Sequence, residues 1–467
     1  MPPTVVLDNG AATLKAGLVG AASPTLITNA VVRSKGDRQT YCGHEIARCR
    51  DYAALHFRLP FEKGLLVDWD AQKAVWDGVF SDEVLAVDTT QATLLVTEPY
   101  FNLPNIQDTY DQLVFEEYEF AAYFRCTPAS MIPHGDLFAL PGQPPAQCTL
   151  VVDAGFSFTH VVPLLDGQIV WTAVKRLDVG GKLLTNQLKE LVSFRQWNMM
   201  DETHIMNDVK ERCCFVSLDY NADLEACRVD LAHNPIVQEY ILPDLSAQRG
   251  GRVRAPGEPP IDGAQILHMG SERFAVPELL FRPDDIGLDQ AGLPATIAHA
   301  ISCLPADIQG MFWANIGLIG GCAKFAGFRA RLQAELQSLA PHGTAVRLTE
   351  CAEPITAAYR AAHAFAADAP RLARVAVTRA EYAEGGSGAV RRRFDAPRGS
   401  EAERMLLQEA PAAAQPPPTG RAKGRQPAGR EDERTPAPGG RGPRVRSAKA
   451  GAVGAAGTGS TGGGRKR

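Results

Sequence analysis

The chain contains the same short pattern twice, once near its start and again about a third of the way along. Residues 5–10 read VVLDNG and residues 150–155 read LVVDAG, and each is followed by a second apolar, strand-like run. An apolar run that ends in Asp-x-Gly is typical of a hairpin with a carboxylate at the mouth of the sheet and a glycine that permits a turn with positive φ. One occurrence alone would indicate an ordinary hairpin, but the repeat predicts equivalent hairpins in two halves of one fold.

The two acidic turns are predicted to face each other around phosphate groups. Backbone N–H groups in such turns can hold a phosphate. Because a carboxylate cannot favour a bare polyphosphate, Asp8 and Asp153 are interpreted as water-mediated partners of a hydrated Mg²⁺. A third element follows the strand-like run 315–319, where Gly320 and Gly321 allow the backbone to approach a base or a phosphate closely.

Length and charge divide the chain into a body and a tail. A chain of 467 residues is longer than one hydrophobic core usually serves, which predicts two domains. Of the 48 basic and 53 acidic side chains, 14 and 6 lie in residues 397–467, so the body is acidic and the tail is basic. That tail also holds 14 Gly and 9 Pro and no aromatic residue, which predicts a disordered tail over 397–467. The acidic body argues against a broad nucleic-acid-binding surface.

The cysteine spacing argues against a disulfide framework and against a zinc ribbon. The ten cysteines are irregularly spaced, and none of them forms a C-x-x-C pair. No charged leader with an apolar stretch and no membrane-length apolar run is found, which favours an intracellular protein with reduced thiols.

Apolar periodicity alternates between strand-like and helical runs, which predicts an α/β fold. The run 169–174 reads as a strand. The stretch from Gly181 has apolar residues on one helical face, and its preceding glycines predict accessible N–H groups at the start of this helix. Residues 221–263 are polar and contain Pro and Gly, which predicts a surface insertion.

The two hairpins and the glycine turn, in this order, resemble the actin superfamily, in which two related halves enclose ATP at the bottom of a cleft. The stretches FEEY at 115–118, KE at 210–211 before CCFV, and ERF at 272–274 resemble actin more than its sugar-kinase or chaperone relatives. The resemblance covers residues 4–395. It implies an actin-like ATPase fold with a first lobe at 1–145, onto which 365–395 packs back, and a second lobe at 146–364 that includes the insertion 221–263.

The resemblance also implies a set of residues that bind ATP or ADP with Mg²⁺. They are Asp8, Gly10 and Lys15 in a first phosphate loop, Asp153, Gly155 and His160 in a second, Lys210 and Glu211 beside the nucleoside, and Gly320, Gly321 and Phe325 beside the adenine. Without the surrounding pattern, each has an ordinary structural interpretation. Lys210 and Glu211 could be a solvated helix pair, Phe325 a core aromatic residue, and His160 a buried imidazole.

Within the superfamily, the chain is most similar to the nuclear branch of actin-related proteins numbered six. The stretches that carry this likeness are DNGA at 8–11, TEPYFN at 97–102, FTH at 158–160, VGGKLLTN at 179–186 and MDETH at 200–204. The likeness implies a nuclear protein, with some in the cytoplasm. It also implies a structural subunit of a remodeller that exchanges nucleosomal histone two-A for its Z variant. The implied partners are the remodeller ATPase, a small zinc-containing subunit and the nucleosome, with no membrane and no self-polymer.

The same resemblance predicts that nucleotide is bound without turnover. Phosphoryl transfer to water needs a positioned nucleophile as well as bound phosphates. Actin uses a glutamine for this, whereas the corresponding stretch here is CTPA at 126–129, with Pro128 at or beside that position. Ala11 and Ala12 replace a hydroxyl residue and a glycine, and Phe156 replaces an aspartate. An ATP-hydrolysing filament protein and a small-molecule kinase on the same fold are the alternatives.

Overall fold

The computed structural model describes residues 2–36, 38–49, 55–139, 142, 144–228, 234–244, 250–255, 257–259 and 263–395. The tail predicted to be disordered, 397–467, lies outside the described residues. In the described part of the chain, no helix combines the length and the apolar character needed to cross a bilayer.

The described residues form a mixture of strands and helices that follows the predicted α/β alternation. The strands are β1 (Thr4–Asn9), β2 (Thr13–Leu18), β3 (Thr25–Thr28), β4 (Val31–Arg33), β5 (Thr40–Cys42), β6 (His56–Arg58), β7 (Phe61–Glu62), β8 (Leu65–Leu66), β9 (Thr93–Thr97), β10 (Ala122–Cys126), β11 (Cys148–Ala154), β12 (Thr159–Leu165), β13 (Gln168–Ile169), β14 (Lys175–Leu177), β15 (Gln238–Ile241), β16 (Arg252–Val253), β17 (Ile266–Met269), β18 (Ile316–Ile319), β19 (Leu348–Glu350) and β20 (Val377–Thr378). The α-helices are α1 (Trp69–Phe80), α2 (Pro104–Gln112), α3 (Pro128–Met131), α4 (Gly181–Arg195), α5 (Thr203–Cys213), α6 (Tyr220–Ala226), α7 (Glu272–Glu278), α8 (Leu293–Ser302), α9 (Gln309–Trp313), α10 (Phe328–Leu339), α11 (Ala357–Ala367), α12 (Ala369–Val375) and α13 (Arg379–Asp395).

Two mixed sheets share one topology, and each begins with one of the acid-tipped hairpins. In the first sheet the strand order is β20-β10-β9-β1-β2-β3, with β1 antiparallel to β2 and parallel to β9. In the second sheet the order is β13-β12-β11-β18-β19, with β11 antiparallel to β12 and parallel to β18. We call the part of the molecule built on the first sheet the first lobe and the part built on the second sheet the second lobe. The repeated sequence pattern is therefore a repeated fold.

One hydrophobic cluster holds the two sheets together. Among the described residues, each lobe also has a large cluster of its own, and a small fourth cluster lies around β4. The shared cluster joins Val6 and Leu95 of the first sheet to Val151 and Val162 of the second, with helix α11 contributing Ala361. All five side chains are almost completely buried. Because burial of apolar surface is non-directional and additive, this cluster fastens the lobes at their base.

A charged cluster is also buried in the first lobe, and we call Arg125, Glu98 and Asp111 the buried ion cluster. The Arg125 guanidinium lies 3.1 Å from a Glu98 oxygen and 2.5 Å from an Asp111 oxygen. The exposed fractions of the three side chains are 0%, 5% and 1% in that order. Gln107 and Asn102 donate further hydrogen bonds to Glu98. Buried charges persist only when paired and hydrogen-bonded in this way.

The structure differs from the sequence-based expectation at two segments. The run 169–174 is not one strand: β13 ends at Ile169, and a 3₁₀ turn (Trp171–Ala173) separates it from β14. The segment 221–263 is not only a surface insertion, because its strand β15 is the centre of a three-stranded sheet and pairs with β16 on one side and with β17 on the other. Tyr240 of β15 is 1% exposed and belongs to the core of the second lobe. Short strands within polar, Gly-containing sequence give too weak a period to be recognised.

Candidate functional site

The first wall of the site is the β1–β2 hairpin, where Asp8 and Lys15 are register partners. The Lys15 ammonium lies 3.1 Å from Asp8 Oδ2, and both side chains are about nine-tenths buried. Thr97, at the end of β9, donates a 2.7 Å hydrogen bond to Asp8 Oδ1 and accepts one from the Asn9 N–H. The carboxylate and the ammonium are thereby fixed at the turn between the two strands.

Close packing of the backbone, rather than positive φ, explains the glycines of both acidic turns. Neither Gly10 nor Gly155 has a positive φ, so that part of the sequence-based expectation is wrong. A Cβ on Gly10 would lie 2.7 Å from the Thr13 oxygen and 3.3 Å from Lys15 Nζ. A Cβ on Gly155 would lie 3.2 Å from the Phe158 oxygen, to which the Gly155 N–H donates. A larger residue would push each turn open.

The second wall is the β11–β12 hairpin, where Asp153 and His160 are register partners. Burial raises the pKa of Asp153 to about 6; the charge of Asp8 acts in the same direction, whereas the hydrogen bond from Tyr100 and the charge of Lys15 oppose it. Burial, with the charge of Arg176, lowers the pKa of His160 to about 3, so this imidazole is neutral near pH 7. Val6 of β1 and Val151 of β11 share one buried cluster, so the strands that end in the two carboxylates pack close together.

The loop 155–158 packs directly on the start of helix α4. A Cβ on Gly180 would lie 2.7 Å from backbone atoms of Phe156, Ser157 and Phe158. The N–H groups of Gly181 and Lys182 donate to the carbonyl oxygens of Gly155 and Phe156. The expectation that the first N–H groups of this helix are accessible is therefore wrong, because the loop itself accepts their hydrogen bonds.

Lys210 and Glu211 lie at the end of helix α5 in different environments. The Lys210 ammonium is buried and donates to the Gly181 oxygen, Thr185 Oγ1 and Asn207 Oδ1 at 3.1, 2.9 and 2.8 Å. All three of its donors are used. Burial lowers the pKa of Lys210. Glu211 is exposed and accepts a hydrogen bond from Asn207. The interpretation as a solvated pair is thus wrong for Lys210.

The glycine turn after β18 lies against the second acidic hairpin. Gly320 has a φ of +90°, and a Cβ on it would lie 2.4 Å from the Ala154 oxygen. Gly321, by contrast, has a single atom within 4 Å of its ideal Cβ, an Ile355 carbon at 3.9 Å, so this position is open. Phe325 ends the following 3₁₀ turn and packs at the edge of the second core. Phe325 therefore packs as expected from its ordinary interpretation as a core aromatic residue.

Sequence reasoning missed Tyr100, which lies in the same cleft. Its ring is 4.5 Å from the His160 ring, and its hydroxyl donates a 3.0 Å hydrogen bond to Asp153 Oδ2. The same hydroxyl oxygen accepts a 3.1 Å hydrogen bond from the Ala129 N–H. Tyr100 belongs to the stretch TEPYFN, but no spacing rule connects residue 100 to residues 153 and 160. Only the tertiary structure shows the contact.

The cleft has a donor set that suits Mg²⁺ held through water. Asp8 and Asp153 are oxygen ligands of the type that hydrated Mg²⁺ prefers, and Lys15 supplies a positive charge for a phosphate. In the described part of the chain, no group of three or more His, Cys, Asp or Glu residues could enclose a metal directly. A nucleotide would thus rely on the two hairpins and on Lys15 for its phosphates. Pro128 begins helix α3 beside this site.

Comparisons with known proteins agree with this architecture. A family model described as Actin matches residues 2–395. The chain is 49% identical over 414 residues to "Actin-like protein ARP6" of Cryptococcus neoformans var. neoformans serotype D, with 84% of each chain covered. It is 40% identical over 390 residues to "Actin-like protein ARP6" of Yarrowia lipolytica, covering 84% of this chain and 97% of the other. It is 35% identical over 395 residues to "Actin-related protein 6" of Drosophila melanogaster, covering 83% and 99%.

Proposed function

The chain belongs to the actin family, and from that premise we propose that it is a non-polymerising structural subunit of a nuclear chromatin-remodelling complex. The complex would exchange nucleosomal histone two-A for its Z variant and thereby regulate transcription. The observation that carries the proposal is the 49% identity, over 84% of the chain, to a protein named as the sixth actin-like protein. The sequence resembles the same branch of actin-related proteins, those numbered six, and this resemblance implies a remodeller subunit.

The proposed role of this chain is to link other subunits rather than to catalyse a reaction. Its partners are the remodeller ATPase, a small zinc-containing subunit and the nucleosome. The shared cluster at the base of the cleft supports a rigid scaffold, because its side chains from both sheets are almost completely buried. A rigid scaffold presents two lobes at a fixed angle to its partners, which reduces the ordering cost of assembly.

The cleft is proposed to hold ATP or ADP with Mg²⁺ as a structural ligand. Lys15 would contact the phosphates, and Asp8 and Asp153 would accept hydrogen bonds from the water shell of the cation. The bound group would neutralise the carboxylates of Asp8 and Asp153. A ligand that binds the folded state alone stabilises it by mass action, so no catalytic cycle is needed for this role.

Three features of the cleft support binding without turnover. Pro128 stands at the start of α3 and has no side-chain donor or acceptor to place a water. Ala11 and Ala12 offer no hydroxyl group in the first loop. Phe156 brings an apolar ring to the second loop, where its Cδ2 would lie 3.3 Å from a Cβ on Gly181. Catalysis of phosphoryl transfer is mostly positioning and charge stabilisation, and these positions supply neither.

Affinity purification of the tagged full-length chain from nuclear extract, followed by native mass spectrometry, tests the proposal. We expect a stoichiometric complex with a helicase-type ATPase and a small zinc-containing subunit, and the complex should exchange the histone variant. A chain that is recovered only as a free monomer would refute the proposal. Sedimentation of the pure chain with Mg²⁺ and ATP tests the filament alternative, and we expect the protein to stay in the supernatant.

The contribution of the basic tail to nucleosome binding is tested by truncation. Fourteen basic side chains lie in 397–467, and each phosphate contact they make should release counterions. We expect the full chain to bind DNA with a steeper dependence on salt than a chain that ends at residue 396. If the two salt slopes are equal, the tail makes no contact with DNA phosphates.

A further inference from the structure

The cleft is bridged by a pair of aromatic residues that belong to the first lobe and contact the second. We call Tyr100 and Phe101 the aromatic clasp. Tyr100 contacts Asp153 and His160, and the Phe101 ring lies 5.8 Å from the Trp171 ring in an edge-to-face arrangement. The clasp begins three residues after the end of β9, whereas all three contacted residues follow or lie on strands of the second sheet.

The clasp is held in an uncommon backbone conformation. Phe101 has a φ of +56°, a left-handed value that bulky side chains rarely adopt. Residues keep such conformations only when surrounding contacts determine them. At this position, consecutive side chains both reach the second lobe: Tyr100 is 6% exposed inside the cleft, and Phe101, 47% exposed, lies over Trp171. The strained backbone of Phe101 thus occurs where the two lobes contact each other.

The hydroxyl of Tyr100 has its donor and its acceptor sides occupied. Its proton goes to Asp153 Oδ2 in the second lobe, and its oxygen accepts from the Ala129 N–H on helix α3. Helix α3 belongs to the segment that connects β10 of the first sheet to β11 of the second. Thr127 makes no side-chain hydrogen bond that caps this helix. The Ala129 N–H, which lacks a partner in its own segment, donates to the Tyr100 hydroxyl instead. One hydroxyl therefore joins the connecting segment to the second lobe.

We propose that Tyr100 fastens the two lobes in the absence of nucleotide and withholds one oxygen of Asp153 from the water shell of Mg²⁺. The lobes then stay closed whether or not a nucleotide is bound. Mg²⁺ also increases nucleotide affinity less than it would if both carboxylates were free to bind its water shell. The cleft becomes a fixed joint of the scaffold. The inference concerns the cleft alone, so its failure would leave membership of the remodeller untouched.

Hydrogen exchange of the full chain, without nucleotide and with saturating Mg²⁺ and ADP, tests the fastening. For the native chain we expect exchange of the β11–β12 amides to differ by less than about twofold between the two conditions. For Tyr100→Phe, which keeps the ring but loses the hydroxyl, we expect exchange there to be about tenfold faster without nucleotide, the factor that corresponds to one lost hydrogen bond to a carboxylate. Mg²⁺ and ADP should restore the protection.

Tyr240→Phe is the matched control. Tyr240 is also buried, and its hydroxyl donates to the Asp208 carboxylate at 2.5 Å, but both residues lie in the second lobe. This variant should leave exchange at β11–β12 unchanged. A faster exchange in Tyr100→Phe that is confined to Ala129 would overturn the proposal, because it would show a local helix cap.

Calorimetric titration with ADP, in Mg²⁺ and in EDTA, tests the second part of the proposal. We expect the ratio of Kd in EDTA to Kd in Mg²⁺ to rise about fivefold or more in Tyr100→Phe, since Asp153 gains a free oxygen. In Tyr240→Phe the ratio should stay within about twofold of the native value. An unchanged ratio in Tyr100→Phe overturns the claim on Asp153. If Tyr100→Phe does not fold, the native chain decides: protection of β11–β12 that rises more than about tenfold with Mg²⁺ and ADP overturns the fastening.

Discussion

Replacement of Asp153 by Asn should make the nucleotide-free protein more stable near neutral pH. Burial raises the pKa of Asp153 to about 6, against about 3.9 in an unfolded chain. The folded state therefore holds the proton more tightly than the unfolded state. Stability contributed by this group is highest below the unfolded pKa, falls as the pH rises from about 4 to about 6, and stays reduced above that. Asparagine cannot ionise, and its amide oxygen still accepts the hydrogen bond from Tyr100.

The magnitude follows from the difference between the two pKa values. A pKa of about 6 in the folded state, against about 3.9 in the unfolded chain, corresponds to a cost of about 3 kcal/mol above pH 7. At pH 5 about half of this cost is already present, because the unfolded carboxyl is ionised there and the folded one is not. The free energy of unfolding of Asp153→Asn, relative to the native chain, should thus increase by about 1 kcal/mol between pH 5 and pH 7.5.

Urea denaturation of the two proteins across this pH range measures the difference. Asp82→Asn, the same substitution at an exposed position after α1, is the control. A constant difference for Asp153→Asn, or one that shrinks as the pH rises, would refute the reasoning, because Lys15 would then compensate the buried charge in full. Saturating Mg²⁺ and ADP should favour the native carboxylate and reverse the order of stability at pH 7.5.

Three other substitutions test the fold and the site. Arg125→Met leaves two buried carboxylates without a counter-charge and should lower the free energy of unfolding in urea by about 3–5 kcal/mol. The control Arg48→Met, in an exposed ion pair, should lower it by less than about 1 kcal/mol. Equal losses in the two variants would contradict the estimate for Arg125. Gly320→Ala, whose Cβ would lie 2.4 Å from a backbone oxygen of β11, should lower the Tm clearly more than Gly343→Ala, which has positive φ but open space around it. Pro128→Gln should leave phosphate release from ATP at background, because the loop hydroxyl groups are still missing, and measurable turnover would count against a purely structural site.

Sequence patterns predicted the elements whose signals are local. The duplicated hairpins appear as β1–β2 and β11–β12, and the apolar stripe of α4 is buried at Leu184, Leu188 and Val192. A strand ending in Asp-x-Gly carries both its period and its turn within a few residues. The prediction of one strand over 169–174 was wrong, because a 3₁₀ turn between two short strands does not interrupt the apolar sequence. The core position of Tyr240 was missed for a related reason, since its strand lies in a mostly polar segment.

The amino-acid sequence by itself determined that this protein has two related halves, each with a carboxylate at the end of a hairpin, and that it belongs with actin-like proteins. Only the tertiary structure decided that Tyr100 reaches Asp153 across the cleft, that Lys210 has all three donors satisfied by protein, and that the N–H groups at the start of α4 are used by a neighbouring loop. The physical reason is that hydrogen bonds between distant segments depend on how the two sheets pack. Apolar period and turn chemistry record only what lies within a few residues along the chain.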